Sequence, residues 1–137
     1  MPPFPPPAAD KVALETGERF TPAFGSDGLV TCVTVEDSTG TVLMVAHMNA
    51  EALAHTLDTG VVHYWSRSRG TLWRKGDTSG QVQRLVELRT DCDQDAVLAR
   101  VAVGGDGHAC HTGHHSCFYR RVTGSGDAVR LQTDAQG

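Results

Sequence analysis

The stretch GLVTCVTVEDSTGTVLMVAHM, residues 28–48, places two β-branched runs on either side of DSTG. Val and Thr are stiff at Cβ and favour extended backbone, while Asp, Ser and Gly supply tight-turn chemistry, so the segment predicts a β-hairpin. Both arms are apolar enough to face a core. Cys32 falls inside that apolar pattern and reads as a small core residue rather than a reactive one.

Downstream of the hairpin, NAEALAHTLDTG (49–60) opens on Asn49 as an N-cap, carries Glu51 in its first turn, spaces Leu53 and Leu57 by four and stops at Gly60. These are the start and stop signals of a short helix. VVHYWSRSRG begins with strand formers, and the polar, glycine-punctuated TLWRKGDTSGQ that follows is expected to be a loop. QVQRLVELRT (81–90) and AVLARVAV (96–103) read as strands flanking DCDQD (91–95), with CFYRRV (117–122) as one more. Upstream, MPPFPPPAA can build neither helix nor ladder and is expected to stay a mobile arm. The expected organisation is therefore an arm over 1–10, one domain over 11–122 and a frayed polar tail over 123–137. Many short strands with one or two short helices predict an α+β fold, a single compact domain built mostly from antiparallel strands.

A chain of 137 residues buries a core without needing a disulfide or a structural metal, so a metal here is free to be functional. With 39% hydrophobic and 20% charged residues and a net charge of −4, it has the balance of a soluble globular protein and lacks the basic excess of a nucleic-acid binder. No apolar run reaches the roughly 20 residues of a membrane span, and the N-terminus lacks a secretory pattern, which makes the cytoplasm the expected location. In that reducing compartment, Cys92, Cys110 and Cys117 are better read as ligands, nucleophiles or core residues than as disulfides.

GHACHTGHHSC, residues 107–117, is dense in metal-ligating side chains. Zinc takes thiolate and imidazole ligands, so Cys110 and Cys117, with six residues between them around a glycine turn, are able to reach one ion. Neither has the near cysteine partner of a structural finger. A third thiolate from Cys92 would leave the fourth position open to water, as at a catalytic zinc; a histidine there would close it. In DCDQD, extended backbone would put Asp91, Asp93 and Asp95 on one face with Cys92 and Gln94 on the other; in a turn the carboxylates still converge. Three adjacent carboxylates suit a hard cation such as Mg²⁺, though a solvated acidic turn has the same composition.

The polar stretch adds Arg67, Arg69, Arg74 and Lys75 among Trp65, Trp73, Ser66, Ser68, Thr78 and Ser79. Cations hold phosphates and indole faces stack on bases, which points to a phosphorylated, purine-bearing small molecule. The competing reading is a solvated surface with two core tryptophans, and His47, His55 and His63 read as ordinary surface or core histidines.

Four motifs in one order, HMNAEAL, YWSRSRGTLWRKGDTSGQVQ, DCDQDA and ACHTGHHSCFYR, resemble the phosphoribosyl-AMP cyclohydrolases of histidine biosynthesis over about residues 28–122. The resemblance implies zinc ligands at Cys92, Cys110 and Cys117, with Cys92 coming from the other subunit of a homodimer, and magnesium ligands at Asp91, Asp93 and Asp95. It implies opening of the N1–C6 bond of the substrate's adenine ring by zinc-activated water. His111, beside Cys110, is the expected proton-transfer residue, with His108 and His115 behind it. Trp65, Arg67, Arg69, Trp73, Lys75, Thr78 and Ser79 are the expected substrate contacts. A chain ending at Gly137 is expected to be the monofunctional form.

Two other classes compete. A zinc-stabilised binding module would close its site with four ligands and unfold under chelation, and a cysteine-nucleophile enzyme would need no metal. Neither needs DCDQD beside a basic stretch. A nucleotide deaminase would show HxE with PCxxC, and that pattern is absent.

Overall fold

The computed structural model describes residues 4–76, 80–104, 110 and 114–134. A short helix α1 (Lys11–Thr16) precedes the hairpin of β1 (Val30–Glu36) and β2 (Val42–Met48), followed by helix α2 (Ala50–Thr59). Then come β3 (His63–Ser66), β4 (Thr71–Arg74), β5 (Gln83–Thr90), β6 (Ala96–Val103), β7 (Arg120–Thr123), a 3₁₀ turn (Gly126–Ala128) and β8 (Arg130–Thr133). The central sheet has the order β2-β1-β6-β5, and β3-β4 and β7-β8 form two further ribbons.

The expected hairpin forms with Val33 opposite Val45, and Gly40, at φ +77, turns the chain. Helix α2 has the expected ends. The Asn49 side chain accepts from the Ala52 N–H, and Gly60 at φ +73 closes the C-terminus without the steric cost a Cβ would bring. Its Ala52, Leu53 and Thr56 are buried, and they pack towards β2 and β3. Leu43, Met48, Leu53, Val62, Tyr64, Val97 and Val101 form the centre of the core, where each large apolar side chain contributes about 1.5–3 kcal/mol.

β1 and β6 run parallel at the middle of the otherwise antiparallel sheet, Thr31 opposite Ala96 and Glu36 opposite Val101. The fold is accordingly α+β with mostly antiparallel pairing. The expected loop at TLWRKG is a correction: Thr71–Arg74 is a strand, because Tyr64 and Trp73 face each other across the ribbon with ring centroids 5.3 Å apart, and that aromatic pairing outweighs the polar composition. Of the terminal segments, residues 4–10 and 123–134 are described. Phe4 sits edge-on to Phe20 at 5.6 Å and packs against the core, while β8 pairs in register with β7, Val122 opposite Leu131. Among the described residues no helix is long and apolar enough to cross a membrane.

Candidate metal and substrate site

Cys117 is held against the edge of the sheet, its N–H donating to the Leu43 carbonyl at 2.7 Å while the Ser116 hydroxyl donates to the Val42 carbonyl at 2.7 Å. Cys110 is buried, its N–H donating to the His114 carbonyl at 3.1 Å. The two side chains are hydrogen-bonded to each other. Loss of water and then the adjacent Cys110 sulfur push the Cys117 thiol up to about 11, against the opposing pull of Lys75. Two sulfurs this close resist ionisation unless a cation sits between them, which fits a soft dication.

Lys75 is only 7% exposed and holds its ammonium 5.5 Å from the Trp73 ring centre, a cation–π contact that also brings its charge to Cys117. Trp73 stacks obliquely on Tyr64, whose buried hydroxyl donates to Gln83 Oε1 and lies 2.7 Å from Thr34 Oγ1. His115 Nε2 meets Glu36 Oε1 at 3.1 Å, and the His114 ring stacks on Tyr119 at 3.7 Å. Thus Trp73, Lys75, Cys110 and Cys117 form one cluster. The other expected contacts lie elsewhere: Trp65 is half-buried opposite Leu72, while Arg67 and Arg69 stand exposed at the tip of the β3–β4 ribbon. Arg67 is near enough to His47 to add to the desolvation that lowers its pKa. Thr78, Ser79, His108 and His111 lie outside the described residues.

The second cluster is the acidic turn. One oxygen from each of Asp91, Asp93 and Asp95 lies within 4.8 Å of the others, the one such group of three or more ligating residues among the described residues. The extended reading of DCDQD is corrected: residues 92–95 form a turn, with Cys92 exposed and Gln94 buried, so the carboxylates converge by curvature rather than alternation. Hydrogen bonds that its protonated carboxyl donates to the Asp91 and Asp93 carboxylates push Asp95 up to about 6. Asp91 moves the other way: desolvation raises it, but hydrogen bonds from Asp95, Ala96 and Asp93 outweigh that and lower it. Three exposed carboxylates sharing one locus fit a hard divalent cation.

Cys92 travels with this turn. The turn precedes Ala96, which pairs with the start of β1, whereas Leu43 and Cys117 sit at the opposite end, near the Val35–Val42 pair. The two ends are on the order of 15 Å apart along the strands. Within one chain Cys92 does not join Cys110 and Cys117. All four cysteines are free thiols, and Cys32, buried in β1, is pushed up to about 11 by desolvation, as suits a core residue.

The sequence profile of the phosphoribosyl-AMP cyclohydrolases matches residues 44–119, which span Lys75, the acidic turn and both thiols of the first cluster. The chain belongs to the phosphoribosyl-AMP cyclohydrolase family. A phosphoribosyl-AMP cyclohydrolase of Chelativorans sp. (strain BNC1) is 63% identical over 119 residues, covering 87% of this chain and 86% of its own. That of Brucella canis is 58% identical over 128 residues, covering 93% and 92%. Membership makes the chain an enzyme, a hydrolase acting on a cyclic C–N bond.

Sequence reasoning missed the buried Thr34–Tyr64–Gln83 hydrogen bonds behind the thiol cluster and the burial of Gln94. The one signal for Gln94 was its place inside the acidic motif; no spacing pattern marks the other three.

Proposed function

We propose that the chain opens the adenine ring of 1-(5-phosphoribosyl)-AMP in histidine biosynthesis, at a centre where Cys110 and Cys117 of one protomer and Cys92 of the partner subunit hold zinc. Asp91, Asp93 and Asp95 hold magnesium. The observation that carries this reading is the apposed Cys110–Cys117 pair beside buried Lys75, in a chain of this family. Separation of Cys92 from that pair along the sheet supports a site completed by a second copy, since three thiolates on one ion require all of them within bonding reach.

When bound, zinc supplies a Lewis acid that draws the pKa of a water towards 7, and magnesium supplies charge for a phosphate. The reaction adds water across C6–N1: oxygen goes to C6, the bond breaks, and N1 leaves with a proton. His111 is assigned the transfer of that proton, because a histidine next to Cys110 in sequence has the pKa range for both halves of the task. Arg67 and Arg69, exposed at the ribbon tip, suit a phosphate end of the substrate, joined by Thr78 and Ser79. Trp73, with Trp65, offers ring faces for the purine. Lys75, whose charge opposes the upward shift of the Cys117 thiol, would favour the thiolate that a soft dication binds. The cytoplasm is the proposed compartment, where the thiols stay reduced.

The test is turnover of phosphoribosyl-AMP by purified protein, followed by the ultraviolet change on ring opening, with metal content measured on the same sample and chelator added midway. Ring opening that stops on chelation and returns with Zn²⁺ and Mg²⁺ is the expected result. Failure of a folded, zinc-loaded dimer to open the ring would overturn the proposal.

A further inference from the structure

Gln94 is the one non-glycine residue at positive φ among the described residues, at +60, and it is 5% exposed at the heart of a turn whose three aspartates face solvent. A left-handed backbone favours Gly or Asn over Gln, and a buried amide needs partners for its acceptor and donors. Gln94 has them, all from a distant segment. Its Oε1 accepts from the Thr21 N–H at 2.8 Å, its Nε2 donates to the Leu14 carbonyl at 2.9 Å, and its own carbonyl accepts from the Ala23 N–H at 2.7 Å. From the inner side, Asp91 Oδ1 accepts the N–H groups of Asp95 and Ala96 at 3.0 and 3.1 Å. The turn is thus fastened on both flanks, and the strap over residues 14–23 lies outside the 44–119 span matched by the family profile. Strap and turn together line a cleft of about 330 Å³ that includes Arg19, Asp91 and Cys92.

We infer that Gln94 is a positioning residue: clamped by the segment around Thr21, it holds the acidic turn in the curvature that converges Asp91, Asp93 and Asp95 on one cation. This rests on the reading of that turn as the magnesium site. A residue that orients ligands without touching the metal is worth about 10- to 100-fold in metal affinity. Gln94→Gly keeps the backbone free to adopt φ +60 while removing the side-chain clamp, so it separates positioning from backbone strain. Thr21→Pro removes one clamping donor from the far side without altering the turn's sequence.

The experiment is turnover as a function of Mg²⁺ concentration, on zinc-replete full-length dimer, for the parent, Gln94→Gly and Thr21→Pro, with thermal unfolding measured in parallel. The expected result is a Mg²⁺ midpoint raised about tenfold or more in Gln94→Gly and less in Thr21→Pro, with kcat restored at saturating Mg²⁺. A fall in kcat with an unmoved midpoint in folded Gln94→Gly would overturn the inference, as would a parental midpoint in both variants. If Gln94→Gly does not fold, Thr21→Pro alone decides by the same midpoint. Parent enzyme whose turnover is indifferent to Mg²⁺ would sink the magnesium reading itself, a failure visible before any variant is compared.

Discussion

Tyr64→Phe removes one oxygen and two hydrogen bonds from the centre of the core. The hydroxyl donates to Gln83 Oε1 and lies 2.7 Å from Thr34 Oγ1, and both partners are fully buried. Loss of the bonds alone would cost about 2 kcal/mol, at roughly 1 kcal/mol each. The two orphaned groups fare differently. Thr34 keeps a second neighbour in Cys32 Sγ at 3.7 Å, whereas the Gln83 amide is left with its Nε2 contact to Met44 Sδ at 3.3 Å and an acceptor with no side-chain donor. Stranding that acceptor brings the expected cost to about 2–3 kcal/mol. Urea unfolding of reduced, metal-free protein reads this as a midpoint lowered by about 1–1.5 M at an unchanged slope. Adding Gln83→Leu to Tyr64→Phe removes the orphan and should recover about 1 kcal/mol of the loss. A cost below about 0.5 kcal/mol for Tyr64→Phe would refute the reasoning, because it would mean the hydroxyl is not bonded as described.

Stabilisation by Mg²⁺ is expected to fade as pH drops through about 6, where Asp95 takes up a proton. In metal-free protein the sign is opposite for the two aspartates. Asp95, raised in the fold, contributes stability at low pH that is lost as pH rises through about 6, while Asp91, lowered, contributes stability above the ordinary carboxylate range that is lost on acidification. Melting curves with and without Mg²⁺ from pH 2 to 8 check both, the Asp95 change near pH 6 and the Asp91 change below pH 4, and a Mg²⁺ effect independent of pH would contradict them. Gly76→Ala should cost roughly 2 kcal/mol or more, and should depress turnover by shifting adjacent Lys75. At φ +91 the new Cβ would lie 2.4 Å from the Val82 nitrogen, and backbone cannot move aside as a flexible side chain would. Thermal unfolding together with kcat checks this.

The elements that were legible in the sequence carry their signals locally. DSTG turns the β1–β2 hairpin, and Asn49 and Gly60 bound α2, because caps and turns act within a few residues. β5 and β6 were legible as strands for their β-branched runs, but nothing in either run shows that β6 pairs parallel with β1, since that pairing joins residues 65 positions apart. The strand at Thr71–Arg74 was hidden by its polar neighbours, and only the Tyr64–Trp73 contact explains it. Of the site, residue types and motif order pointed to the thiols and the aspartates. Their distribution over opposite ends of the sheet, and the Gln94 clamp spanning 73 positions to Thr21, are tertiary facts that no local pattern encodes.

The central claim is a catalytic centre completed by two copies of the chain. Mixing inactive Cys92→Ala with inactive Cys117→Ala protein, followed by full subunit exchange, tests it most directly. Random pairing makes half the dimers mixed, each with one intact and one doubly broken site, so about a quarter of parental turnover should return. Turnover that stays at the level of the separate variants after exchange is verified would contradict the account and place all three thiols in one protomer.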